Sequence, residues 1–248
     1  MLDRVGVPEH DGEGGTRHAP WSCSILEGRA ARLGQCSGMT PEPPGCSPPR
    51  YRRPPMPFED EVQAVHLSAW RAAWELEFET LAQQLRGVLG DVAVAIQHVG
   101  STAVPGLAAK DVIDAQVLVR ELHDLRIGQA FESLGFRRRP EPWNQVDSIG
   151  GVSFPKAVYA PPRGARAANI HVRPENSDAT RYALLFRDYL RADPEARATW
   201  ADLKAHIASA VPDLMPYGQI KAAALPLLMR GAEQWADQMK WIPEGVRS

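Results

Sequence analysis

The chain is poor in cysteine and lysine, has no excess of either charge and has no long apolar run. Its 248 residues contain three cysteines, Cys23, Cys36 and Cys46, all before residue 57. Beyond that point there can be no disulfide, thiolate nucleophile or cysteine–zinc site. The spacings of the three do not match a C-x2-C zinc pair. No stretch approaches the roughly 18 consecutive apolar residues that a spanning helix needs. The N-terminus lacks the charged start, apolar core and small-residue cleavage site of a signal peptide, so a cytoplasmic location is expected. With 28 basic against 30 acidic side chains and a net charge of −2, neither bulk nucleic-acid binding nor a membrane surface is expected as a partner. Only five of the basic residues are lysine, so arginine serves wherever a plain positive charge suffices.

What is present divides in two. Residues 1–56 carry Gly14-Gly15, Pro43-Pro44-Gly45, Pro48-Pro49 and Pro54-Pro55 without a sustained apolar period. Such a segment cannot bury enough surface to offset its ordering entropy, and it is expected to be a disordered tail. Residues 57–240 read as one folded domain and 241–248 as a flexible C-terminus.

In the folded part, Leu67, Trp70, Trp74, Phe78, Leu81, Leu85 and Leu89 recur at steps of three and four, which predicts a helix from Glu59 to the stop at Gly90. Val92–Val99 and Val112–Val119 are rich in β-branched residues and read as strands. A helix over Glu121–Leu134 follows, with Gly135 after it and a short strand starting at Phe136. Trp143–Lys156 and Asn169–Arg173 read as further strands. Asn176/Ser177 and Asp193-Pro194 are helix-start signals, and a last helix runs from Tyr217 past Trp235. The fold class is therefore α+β, a small mixed sheet flanked by helices, with a C-terminal helical segment.

Strand periodicity sorts the chemistry. Ile113, Ala115, Val117 and Val119 share one face, whereas Asp114 and Gln116 share the other. In the later strand Ile170 and Val172 face inward, with Asn169, His171 and Arg173 outward. One sheet face thus gathers carboxylate, amide, imidazole and guanidinium, which is costly if buried unpaired. It is either a solvent-washed face or a ligand cleft, and its place beside a glycine loop favours the cleft. In that loop, Gly100 and Gly106 permit close backbone approach, and Ser101 and Thr102 offer hydroxyls to an anion. A structural turn explains the same spacing, and no GxxxxGK[ST] pattern occurs. Lys110 and Lys221 are either phosphate contacts or solvated surface lysines. Arg187 either points at the cleft or pairs with Asp188 on a helix surface, and His98 reads as a structural histidine orienting the loop.

The block from His98 to Lys110, HVGSTAVPGLAAK, followed by Val112-Ile113-Asp114, resembles the signature of the GrpB family. Phe186–Arg191, His171-Val172, Tyr217 and Lys221 resemble its later motifs. The resemblance spans roughly Phe58 to Trp235 and implies a nucleotidyltransferase-like fold. It implies that Gly100 and Ser101 hold nucleotide phosphates and that Asp114 is a first metal carboxylate for Mg²⁺, with His171 a catalytic candidate beside it. Thr102, Lys110, Gln116, Asn169, Arg173, Arg187 and Lys221 complete the candidate set for substrate or phosphate. Similar domains lie fused behind dephospho-CoA kinases, where an accessory role in folding has been attached to them. The departure is Gln116, where a second acid would stand in an active superfamily member. Asp111 faces away, whereas Asp147 could approach from the hairpin. Two readings stay open. One is Mg²⁺-dependent nucleotidyl transfer to an unknown acceptor; the other is a non-catalytic module that binds a nucleotide or phospho-ligand or assists a protein partner.

Overall fold

The computed structural model describes residues 64–244, all within the unit Arg52–Ser248. The expected tail, residues 1–56, lies outside the described residues, as do 57–63 and 245–248. The helices are α1 (Ala73–Leu89), α2 (Leu125–Ser133), α3 (Asp178–Ala192), α4 (Pro194–Ala210) and α5 (Leu214–Met239). The strands are β1 (Ala93–Val99), β2 (Ile113–Val119), β3 (Arg137–Arg138), β4 (Val146–Ile149), β5 (Val152–Pro155), β6 (Ala157–Ala160) and β7 (Ala168–Pro174).

Five strands form one sheet in the order β1-β2-β7-β6-β3, with β2 and β7 parallel and the other pairs antiparallel. The mixed sheet flanked by helices is the α+β architecture the sequence predicts. Ile113, Ala115, Val117 and Val119 of β2 and Ile170 and Val172 of β7 are buried in one core with Trp74, Phe78 and Leu85 of α1 and Phe131 of α2. Tyr159 stacks on Phe131 there at 3.9 Å. Helices α3, α4 and α5 pack on one another around Leu185, Leu190, Trp200 and Met229. Ser177 and Asp193 cap α3 and α4 by accepting backbone N–H bonds. Among the described residues, no helix is long and apolar enough to cross a membrane.

Three expectations change. The first helix begins at Ala73 rather than Glu59, because the preceding backbone is satisfied by distant partners. Val65 N–H donates to the Pro212 carbonyl at 2.7 Å, and Ser68 and Ala109 exchange bonds of 2.8 and 2.9 Å. Trp70 keeps its place in the apolar period, yet its indole N–H donates to the Thr102 carbonyl at 3.2 Å.

The stretch 143–156 begins in a helical turn over Pro142–Asn144, and its hairpin, β4–β5, is a sheet of its own apart from the five strands, turned by Gly150 and Gly151 at φ of 58° and 83°. Two consecutive positive φ values are what a two-residue hairpin turn demands. The third change is at the C-terminus. Trp241 donates to Asp188 at 3.1 Å, and Gln97 donates to the Glu244 carbonyl at 2.6 Å, so residues 241–244 are tied to the fold.

Candidate functional site

Parallel pairing of β2 with β7 sets Asp114 beside Asn169 and Gln116 beside His171. The two alternations therefore stay in phase, and the polar residues of both strands emerge on the face opposite the α1–α2 core. This face forms one wall of a pocket of about 430 Å³. The loop after β1 supplies Gly100, Ser101 and Lys110, the hairpin supplies Asp147 and Ser148, and α3 contributes Tyr182 and Phe186. Lys204 of α4 and Lys221 of α5 close it.

Gly100 makes the close approach possible. Its φ and ψ of 72° and −167° lie in a region essentially reserved for glycine. A Cβ there would stand 2.5 Å from Asp114 Oδ2 and 2.9 Å from Asp114 Cβ. Gly100→Ala is therefore expected to cost about 1–3 kcal/mol from backbone strain, with displacement of Asp114 in addition. A urea titration reads the first effect as a lower midpoint. A midpoint equal to that of the wild type would show that the loop relaxes freely.

His98 is buried, stacks on Phe78 at 4.6 Å and shares a 2.9 Å hydrogen bond with the Thr102 hydroxyl. Burial, followed by Arg191 and Arg187, pushes its imidazole down to about 4. It is a neutral prop for the loop, as its sequence context suggests. Thr102 lines the pocket, but its hydroxyl is engaged by His98.

Asp114 accepts from Asn169 Nδ2 at 3.0 Å, and His171 Nε2 stands 4.0 Å from the same oxygen. Burial first, then Arg173 and Lys156, hold the His171 ring well below its ordinary value. Its Nδ1 is buried without a hydrogen-bond partner. Arg173 donates to Gln116 Oε1 at 3.1 Å and to Asp147 at 2.9 Å, while Lys156 reaches Asp147 at 2.6 Å. Burial alone would raise the Asp147 carboxyl, but Arg173 and Lys156 outweigh it and hold it at about 2.

Two expected ligand residues sit elsewhere. Gln116 is fully buried beneath the pocket and spends its amide on Gln97 at 2.8 Å. Arg187 is buried outside the pocket lining, paired with Asp188 at 2.6 Å and donating to the His98 carbonyl at 3.2 Å. Its place between Leu184 and Leu190, three residues from each, turns it into the α3 interface and toward the end of β1.

The side chain that sequence reasoning overlooked is Lys204. It is 1% exposed, donates to Ser101 Oγ at 3.2 Å and to the Ala108 carbonyl, and has no carboxylate partner among the described residues. Burial, then Lys221 and Lys110, lower its ammonium to about 7. A signal was available, since Trp200, Lys204 and Ile207 follow helical steps of four and three, which sets Lys204 on the apolar stripe of α4. Burial likewise lowers Lys221, with Asp114 opposing, and its Nζ lies 5.9 Å from the Tyr217 ring.

The donor set that two Mg²⁺ ions require is not assembled. Two-metal transfer needs clustered carboxylates to share the ions with the substrate. Here Gln116 is neutral and occupied, and Asp147 is neutralised by two cations. Among the described residues no group of three His, Cys, Asp or Glu side chains could hold a metal ion.

Comparison with known proteins adds identity to this geometry. A family model described as GrpB protein matches residues 64–230. The chain is 30% identical over 188 residues to a dephospho-CoA kinase of Mycolicibacterium paratuberculosis, covering 68% of this chain and 46% of that protein. It is 37% identical over 142 residues to a UPF0157 protein of Pseudomonas aeruginosa, covering 56% and 55%. The chain thus spans about half the length of these curated relatives. The crystal structure of GrpB from Enterococcus faecalis superposes with a TM-score of 0.58 at 28% identity, covering 68% of this chain and 99% of that one. The chain belongs to the GrpB family.

Proposed function

We propose that the pocket binds a phosphorylated small molecule, of nucleotide type, without two-metal chemistry. The observation that carries this is where the scarce lysines go. Of five in the chain, Lys110, Lys204 and Lys221 line this single pocket. Ammonium groups are compact phosphate contacts, and Ser101 with the glycine loop adds a hydroxyl and a close backbone approach. Lysines gathered in one pocket repel one another, as the lowering of Lys204 by Lys221 and Lys110 shows, and an anionic ligand would relieve that repulsion. The nucleotidyltransferase-like fold that family membership implies, and relatives named dephospho-CoA kinase, make adenine nucleotides and coenzyme A precursors the first ligands to try.

Calorimetry with inorganic phosphate, pyrophosphate, ATP and dephospho-CoA, each with and without Mg²⁺, tests the reading. Pyrophosphate is expected to bind more tightly than phosphate, with or without the metal. Lys221→Met should weaken it roughly tenfold or more, the worth of one charge-assisted hydrogen bond. Absence of binding by all four would sink the proposal. Binding that requires Mg²⁺ and disappears in Asp114→Asn would instead favour nucleotidyl transfer, the reading supported by Asp114 standing directly against Gly100.

A further inference from the structure

We infer that Ser101 and Lys204 form a nucleophile–base dyad and that the pocket carries out acyl transfer to water on a carboxylic ester or thioester bearing a phosphate. This goes beyond phosphate binding and requires only that the pocket admit an anionic ester.

The geometry points to the dyad from both sides. Ser101 opens a tight turn immediately after Gly100, and its hydroxyl lies 3.2 Å from Lys204 Nζ. Lys204 comes from α4, 103 positions along the chain, so the pair is made by the tertiary fold rather than by local chain geometry. The lysine is buried at 1% exposure, it hydrogen-bonds to Ser101 and the Ala108 carbonyl, and no carboxylate neutralises it among the described residues. A neutral amine suits this environment better than an ammonium. In the neutral form it needs no counter-ion, keeps one N–H on the Ala108 carbonyl and turns its lone pair to the Ser101 hydroxyl, reversing the bond that the ammonium donates to Ser101 Oγ. Burial together with Lys221 and Lys110 holds the group at about 7, so the base form is well populated at neutral pH. This is the arrangement of an activated serine, in which a neighbouring base takes the proton of a weak nucleophile.

The pocket supplies the rest. Lys110 and Lys221 are placed to hold the phosphate and to offset charge that develops on the ester oxygen. Ala179, Tyr182, Ala183 and Phe186 give an apolar wall for the carbon skeleton. In the first step a bond forms between Ser101 Oγ and the acyl carbon, and the hydroxyl proton passes to Lys204. The bond from that carbon to the leaving oxygen or sulfur breaks, and the leaving group takes the proton from Lys204. In the second step water attacks the acyl carbon and gives a proton to Lys204. The Oγ–carbon bond then breaks and Ser101 recovers that proton. One ester and one water become one acid and one alcohol or thiol, with no change of oxidation state.

The test is covalent labelling of the full chain with an alkyl fluorophosphonate, read by intact mass and peptide mapping. One adduct on Ser101 is expected, absent in Ser101→Ala, with a rate that rises with pH about a midpoint near 7. Lys204→Met and Lys204→Arg should each slow labelling about a hundredfold or more, the usual worth of a general base. The arginine variant keeps the charge but cannot accept a proton. Thermal melts of both variants show whether they remain folded. No adduct on Ser101 in the wild type at pH 8, or an unchanged rate in Lys204→Arg, overturns the dyad. Pyrophosphate binding is measured separately, so loss of labelling with binding intact removes the dyad and leaves the phosphate reading standing.

Discussion

Replacing Lys204 by methionine is expected to make the protein more stable and its anion binding weaker. Methionine fills a similar volume without a charge to desolvate, and replacing buried ionic groups by apolar ones of similar volume is often neutral or stabilising, by up to about 4 kcal/mol. The pH dependence fixes the sign. In the folded chain the ammonium titrates at about 7 instead of its ordinary 10.5. Between those values the unfolded chain binds a proton that the folded chain does not, so this group makes wild-type stability rise with pH. Below about 7 the folded chain carries the full cost of burying the charge. The gain in Lys204→Met should therefore be largest near pH 6 and disappear toward pH 10. Thermal melts at pH 6, 8 and 10 read it directly. A variant less stable than the wild type at pH 6 would mean that the bonds to Ser101 and the Ala108 carbonyl outweigh the burial of the charge. Loss of pyrophosphate affinity in the same variant would show stability and ligand binding in direct opposition at this residue.

The largest loss of stability is expected from Asp147→Ala. Its carboxylate lies between the Arg173 and Lys156 side chains, each only 8% exposed, and it holds the β4–β5 hairpin against the main sheet. Removing one member of a buried ion cluster leaves its partners uncompensated and typically costs about 3–5 kcal/mol. A urea titration at pH 7 measures this, and a loss below about 1 kcal/mol would mean that water reaches the two cations freely. The titration behaviour of Asp147 gives a second readout. Its folded value of about 2 lies below the ordinary 3.8, so its contribution is fully present above about pH 4 and is lost as pH falls through 2. The wild type should lose stability over that window, while Asp147→Ala lacks this component. Combining the variant with Lys156→Met and Arg173→Met should recover much of the loss.

The parts legible in the sequence are those governed by local rules. Alternation in 112–119 and 169–173 was enough to separate the polar face from the core, because a strand's period of two is insensitive to what packs on either side. The caps at Ser177 and Asp193 were legible for the same reason, since an oxygen accepting from the next turn is a short-range device.

The misread parts depend on long-range partners. The apolar period around Val65 and Trp70 is genuine, but those backbone groups are claimed by Pro212 and Ala109, so the helix starts late. Of the two places open to Arg187, the cleft and the pair with Asp188, the structure has the pair, and the His98 carbonyl, 89 positions away, holds the guanidinium out of the cleft. Lys204 is hard to recognise from sequence because a lysine among Trp200, Leu203 and Ile207 reads as an interruption of an apolar stripe. Only the approach of the Ser101 loop turns that interruption into a site.

The parallel pairing of β2 with β7 has a consequence for the order of assembly. Strands 55 positions apart must meet before the polar face exists, and two of the three pocket lysines arrive later still, on α4 and α5. During synthesis from the N-terminus this pocket can therefore not form until most of the domain has been made. Long-range closure of this kind is slow relative to local helix formation. A ligand held by all three lysines would thus recognise only the completed domain, and its binding energy would pull the last helices into place rather than assist the first strands.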